Sequence, residues 1–247
     1  KSNSPEEKPK LFGRYRLSFL LDIFTSIYHL IQAKKQPEHH EKLNTVRSIL
    51  SLIVQTYKSN HSSFNLSRTH FILTMLDSVG FIGSGMMASA LMDGLLAKKS
   101  LSGPASISCS DVWQPSLDRA AEKGYNAYPT NDKVCESAKT AIILAVKPNI
   151  IETVCKDIMT AKEENDAVII SIAAGVTLKT LEASLPGRRV IRVMPNTPCL
   201  VGEAAAGFAL GSLATDADRE IVKTIFGSVG LAVEVAEKLL DAVTGVS

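Results

Sequence analysis

From Ser78 onward, short apolar runs alternate with stretches in which apolar side chains return every three or four positions. Runs of the first kind read as strands and stretches of the second as helices with one buried face. The pattern predicts strands at 106–110, 140–146, 167–172 and 190–194. Helices are predicted at 115–123, closed by Gly124, and at 150–159 and 178–185. A strand at 205–210, a helix at 216–226 and a strand at 232–235 extend the series. Strands that alternate with helices require right-handed crossovers, hence a mostly parallel sheet with helices on both faces. The run Ala141-Ile142-Ile143-Leu144-Ala145-Val146 has no polar alternation, as expected of a strand buried on both sides. The fold class is therefore α/β, a Rossmann-type doubly wound sheet.

The series opens with Ser78-Val79-Gly80-Phe81-Ile82-Gly83-Ser84-Gly85-Met86-Met87-Ala88, followed by Ala90, Leu91 and Leu95 at helical spacing. A strand thus runs through Gly83-x-Gly85-x-x-Ala88 into a helix, the context in which such a motif binds a dinucleotide. Gly83 permits the sharp turn, Gly85 lets a diphosphate approach the backbone, and Ala88 lets helix and strand pack closely. Free amides at the helix start, at the positive end of its dipole, suit that anion.

In a doubly wound sheet the ligand lies beyond the carboxyl ends of the strands. Three such ends carry distinctive residues. Ala145-Val146-Lys147-Pro148 brings a cation to the edge, with Pro148 suited to start a helix. Ile172-Ala173-Ala174-Gly175 has small side chains against which a flat ring can lie. Met194-Pro195-Asn196-Thr197-Pro198 sets an amide and a hydroxyl in a loop stiffened by two prolines.

Composition changes this picture at one place. Up to Thr74 there are eleven Lys and Arg against five Asp and Glu, a balance of +6, whereas the remainder holds 16 against 20, a balance of −4. All five histidines precede Thr74, and the first methionine is Met75. Residues 1–74 thus read as a basic leader: a poorly ordered or non-native extension, a targeting segment, or a docked pair of helices. The run 17–31 is interrupted by Asp22 and His29 and falls short of the ~20 apolar residues a membrane span needs. Val46, Ile49, Leu50, Ile53 and Val54 mark an amphipathic helix. The four cysteines, at 109, 135, 155 and 199, have no zinc spacing, so no metal site is expected and a reducing compartment is favoured. With a net charge of +2, no nucleic-acid partner is expected.

Val79-Gly80-Phe81-Ile82-Gly83-Ser84-Gly85, Ala145-Val146-Lys147-Pro148, Ala173-Ala174-Gly175-Val176-Thr177, Arg192-Val193-Met194-Pro195-Asn196-Thr197-Pro198 and Asp241-Ala242-Val243-Thr244-Gly245-Val246-Ser247 stand in the order and spacing of pyrroline-5-carboxylate reductase, which the chain resembles from about Ser78 to its end. The resemblance implies hydride transfer from NAD(P)H to the C=N bond of 1-pyrroline-5-carboxylate, giving L-proline. It implies that Ile82, Gly83, Ser84, Gly85, Met86 and Met87 cradle the diphosphate. Ala145, Val146, Lys147 and Pro148, with Ile172, Ala173 and Ala174, would flank the nicotinamide ribose, and Asn131 would touch the cofactor. Lys147, Asn196 and Thr197 are the pocket candidates; the family's substrate residues otherwise lie mostly in a C-terminal helical dimerisation domain. On this reading 75–236 is the NAD(P)-binding domain and 237–247 opens that helical domain. The expected chain binds nucleotide without reductase activity, and the full-length protein is a homo-oligomer.

One residue departs from the family. Asp111 follows the second strand, where the family often has a small polar residue suited to a 2′-phosphate. The expected cofactor is NADP(H), with NAD(H) the alternative because an aspartate there would repel that phosphate. Two other functions compete with the reductase: a hydroxyisobutyrate-type dehydrogenase of similar fold, and a non-catalytic nucleotide-sensing module whose basic leader docks a partner or an anionic membrane. A start at Met75 favours the cytoplasm, and a genuine leader leaves the mitochondrion as the alternative.

Overall fold

The computed structural model of the chain describes residues 76–161 and 165–244; the expectations for residues 1–74 lie outside these. The order of elements is β1 (Val79–Ile82), α1 (Met86–Ala97), β2 (Ile107–Ser110), α2 (Gln114–Glu122), β3 (Asn126–Tyr128), α3 (Asn131–Ser137), β4 (Ala141–Leu144) and α4 (Ile151–Thr160). Then follow β5 (Val168–Ser171), α5 (Leu178–Ser184), β6 (Val190–Met194), β7 (Ala204–Leu210), α6 (Asp216–Gly227), β8 (Gly230–Glu234) and α7 (Glu237–Thr244). They build an 8-stranded sheet in the order β3-β2-β1-β4-β5-β6-β7-β8. Every neighbouring pair is parallel except β6 and β7, where Val193 faces Phe208 in an antiparallel register. The strand order reverses between β1 and β4, the switch point beside which an open α/β sheet binds its ligand.

Strict alternation within the strands divides the core between the two faces. Ala141 and Ile143 of β4 join Phe81, Leu91, Ile107, Phe208 and Phe226 on one face. Ile142 and Leu144 turn to the other, with Val134, Val154, Ile169 and Leu181. Each fully buried aliphatic or aromatic side chain contributes about 1.5–3 kcal/mol, so both faces of a four-residue strand are needed to hold it.

Expected and observed bounds differ by one or two residues at most ends, and 190–194 coincides with β6. The expected strand at 140–146 is shorter: β4 ends at Leu144, and Ala145 and Val146 lie beyond it, over the ligand edge. Two elements were not foreseen. β3 has only three half-buried residues, Asn126-Ala127-Tyr128, so it lacks an apolar run. α3 spans a mere seven residues and buries only Val134 and Cys135.

Residues 237–244, expected to open another domain, form α7, which packs against β6 and β7 with Leu240 buried. Glu237 ties it down: Oε1 accepts from the backbone amide of Leu178 at 2.7 Å and from Nη1 of buried Arg192 at 3.2 Å. Among the described residues no helix is long and apolar enough to cross a membrane.

Candidate functional site

Beyond the carboxyl ends of β1, β2 and β4 lies a cleft of about 980 Å3. The glycine turn forms one wall. Gly83 has φ +95°, a left-handed conformation that L side chains avoid, and a Cβ there would lie 2.5 Å from the Ala145 carbonyl oxygen. Its amide donates to the Ser110 carbonyl at 2.8 Å, fixing the turn to β2. Gly85 differs: a Cβ there meets nothing within 4 Å, so the space beside it is open to a ligand. Gly85 is also the N-cap of α1, which has no side-chain cap and no acidic residue in its first turn. The helix therefore presents unspent amides and the positive end of its dipole, as a diphosphate requires.

Asp111 closes the turn from the β2 side. Its Oδ2 accepts from the Ser84 amide at 2.8 Å and from Ser84 Oγ at 3.1 Å, and its Oδ1 from the Trp113 amide at 3.0 Å. Ser116 Oγ donates to the Ser84 carbonyl at 2.7 Å from below. Asn131 crosses the cleft: its Oδ1 accepts from Ser110 Oγ at 2.7 Å and its Nδ2 donates to Asp157 Oδ2 at 2.7 Å. Ser110 is 1% exposed, so Asn131 also satisfies a buried hydroxyl. Lys147 lies exposed at the mouth, in no ion pair with another described residue.

Of the expected site residues, Ile82, Gly83, Gly85, Asp111, Asn131, Ala145, Val146 and Lys147 line this one cleft. Ser84 and Met86 border a smaller pocket of about 190 Å3 between α1 and α2, with Arg119 on its far wall. Met87 packs on the core. Pro148 starts a 3-10 turn after β4 and is not on the cleft wall. The strand ends at β5 and β6 stand apart from it. Ala173 is buried, Ile172 packs on the core, and Ala174 is exposed. Asn196 Oδ1 accepts from the Ala205 amide at 2.9 Å, and Thr197 begins a 3-10 turn to Val201.

The remaining wall was not anticipated. Asp132, Lys133 and Glu136 of α3 and Asp157 and Thr160 of α4 line the cleft. The signal for Asp132 and Lys133 is their place just after a strand end, but that signal vanishes where β3 is too short and polar to be seen. Lys133 Nζ is paired with Glu136 Oε2 at 2.6 Å, which raises the lysine pKa. The Thr130 hydroxyl donates to Asp132 and lowers that carboxyl's pKa.

None of the cysteines is poised as a nucleophile, since all four are buried. Burial pushes the thiols of Cys109, Cys135 and Cys155 up to about 11, and that of Cys199 up as well. A thiol is inert while protonated, that is, below its pKa. The folded protein is accordingly expected to leave an aromatic disulfide reagent nearly unconsumed at pH 8 and to consume four equivalents after denaturation. Rapid reaction of one thiol in the folded state would contradict this.

Comparison with known proteins is consistent with the cleft. Residues 78–175 match a family model described as NADP oxidoreductase coenzyme F420-dependent. The chain is 45% identical over 173 residues to pyrroline-5-carboxylate reductase of Methanosarcina acetivorans, an alignment that covers 68% of this chain and 62% of that protein. The solved pyrroline-5-carboxylate reductase of Coxiella burnetii superposes with TM-score 0.65 and 30% identity over 70% of this chain and 64% of that one. The Plasmodium falciparum pyrroline carboxylate reductase, solved with NADP bound, gives TM-score 0.61 and 28% identity over 69% and 62%. The chain thus spans about six-tenths of the length of these relatives. In sequence and in fold, over that length, it is a homologue of the pyrroline-5-carboxylate reductases.

Proposed function

We propose that the protein is a pyrroline-5-carboxylate reductase, in which the cleft at the β1 edge holds a nicotinamide dinucleotide, NADP(H) or NAD(H). The observation that carries this reading is the uncapped start of α1 behind Gly83 and Gly85, opening onto a cleft of about 980 Å3. The similarity to reductases at 45% identity supports the choice of reaction.

When bound there, a reduced nicotinamide would supply the hydride for the C=N carbon of 1-pyrroline-5-carboxylate, with a proton from solvent at the ring nitrogen giving L-proline. The chain's own part is to hold and orient. The amides of Gly85, Met86 and Met87 would take the diphosphate, and Lys147 would add positive charge at the mouth. Ala145 and Val146, just beyond the end of β4, would border the ribose. The loops after β5 and β6, with exposed Ala174 and Thr197, half-buried Asn196 and Ala173 buried beneath them, would meet the nicotinamide end of the carrier and its substrate. Buried free thiols suit a reducing compartment such as the cytoplasm.

The chain's single tryptophan, Trp113, sits after β2 beside the cleft and gives a direct readout. Titration with reduced nicotinamide dinucleotide is expected to quench its emission saturably, with Kd on the order of micromolar, typical of cofactor sites. Gly85→Ala is expected to fold as stably as the wild type, because its Cβ meets no protein atom, yet to weaken binding at least ~10-fold by standing where the diphosphate approaches. The reaction is followed as loss of reduced-nicotinamide absorbance on addition of 1-pyrroline-5-carboxylate, with L-proline as product. Absence of saturable quenching would remove the dinucleotide reading. Turnover of a 2-hydroxy acid but not of the cyclic imine, by the complete polypeptide, would replace the reductase with a dehydrogenase.

A further inference from the structure

We propose that Asp111, locked against the glycine turn, makes this cleft select an adenosine ribose without a 2′-phosphate, so that NADH is the preferred reductant. The inference rests on the dinucleotide reading above and adds the chemical class of the carrier.

An acid after the second strand ordinarily accepts hydrogen bonds from the ribose diol. A surface aspartate could swing aside for a phosphate; Asp111 cannot do so freely. Three protein donors hold it: the Ser84 amide and hydroxyl on Oδ2 and the Trp113 amide on Oδ1. An ionised carboxylate has about four acceptor positions, so roughly one remains for a ribose hydroxyl. The charge stays in place whichever carrier enters.

Its surroundings add to the effect. Asp132, Glu136 and Asp157 line the same cleft, and the lysine among them, Lys133, is already paired with Glu136 at 2.6 Å. Asp157 is held by Asn131 at 2.7 Å. Arg119, on the helix after Asp111, is already engaged: its guanidinium lies 5.0 Å from the centre of the Trp113 ring, its Nη2 donates to Ser116 Oγ at 3.3 Å, and it lines the smaller pocket, which meets the cleft at Gly85. A 2′-phosphate would therefore bring close to two more negative charges into a group of carboxylates. An unsubstituted ribose would find an acceptor.

Binding of nicotinamide-free probes to this chain isolates the effect from catalysis. In calorimetric titrations at low salt, ADP-ribose is expected to bind at least ~10-fold tighter than its 2′-phosphate, the discrimination a fixed unscreened charge can supply. Asp111→Asn keeps an oxygen for Ser84 but removes the charge, and is expected to narrow the ratio to within ~3-fold, chiefly by improving the phosphorylated probe. Should that variant fail to fold, raising salt from ~0.05 to ~0.5 M on the wild type is expected to narrow the same ratio by screening. Equal or tighter binding of the phosphorylated probe overturns the proposal, as does a ratio indifferent to both the substitution and salt. If neither probe binds, the dinucleotide reading itself falls, and this proposal with it.

Discussion

Replacing Gly83 by alanine is expected to destabilise the protein by about 3 kcal/mol and to abolish saturable dinucleotide binding. Two penalties add at this position. The backbone stands at φ +95°, where an L side chain is strained by about 1–2 kcal/mol. The new methyl would also lie 2.5 Å from the Ala145 carbonyl oxygen and 2.8 Å from its carbon. Those atoms belong to main chain that is itself bonded into the sheet, the Ala145 amide donating to the Ile82 carbonyl at 2.8 Å. Neither side can yield without parting β1 from β4. The turn would have to move, and with it the start of α1 that faces the diphosphate. At about 2–4 °C per kcal/mol for a domain of this size, the melting temperature falls by roughly 6–12 °C. Thermal melts paired with Trp113 titrations check both halves of the claim. A variant that melted and bound like the wild type would disprove the tight approach of β1 to β4, and the contrast with the well-folded Gly85→Ala variant separates strain in the protein from obstruction of the ligand.

Asp218→Ala is expected to cost a similar amount, about 3–5 kcal/mol, without touching the cleft. Asp218 is 0% exposed yet carries a full set of partners. Its Oδ2 accepts from the Thr215 amide at 2.8 Å and the Thr215 hydroxyl at 2.7 Å, while Thr215 Oγ1 accepts the Asp218 amide at 3.3 Å. This reciprocal cap fixes the start of α6, and caps of this kind contribute about 1 kcal/mol. The other oxygen is paired with Arg189, which also reaches Asp166. Removing the carboxylate leaves a half-buried guanidinium and an uncapped helix whose Val222, Ile225 and Phe226 fill the core. Asp218→Asn keeps the acceptor for Thr215 and is expected to lose only about half as much. Urea unfolding measures both. Dinucleotide affinity is expected to change less than about twofold in either variant, since no residue of this cluster lines the cleft; a loss of 1 kcal/mol or less for the alanine would show that the pair adds little.

The ease with which parts of this protein can be read differs by element. The strand at 190–194 was legible to the residue, because a run that is apolar but for Arg192 is bounded by Arg189 and by Pro195. The glycine motif was legible because it joins two periodicities, and both its neighbours are where they were expected. β3 and α3 were not, since Asn126-Ala127-Tyr128 and the seven residues from Asn131 owe their shape to the neighbours they pack on: α3 lies over β1, where Val134 and Ala138 would stand 2.6 and 2.9 Å from a Cβ on Gly80. Asp132 and Glu136 of the cleft's acidic wall were missed for the same reason.

The amino-acid order alone determined the succession of strands and helices, the turn that can accept a diphosphate, and the strand ends at which chemistry could occur. Those are local properties, set by periodicity, by the missing Cβ of glycine and by the stiffness of proline. Only the tertiary structure decided which strand ends share a cleft and what Asp111 does there. In sequence it stands 27 residues from Ser84, and its role follows from the parallel pairing of β1 with β2, which sets Ile82 beside Ser110. Whether a carboxylate is free to grip a sugar or is already held by a neighbouring turn depends on distances across the sheet. No pattern along the chain encodes those distances.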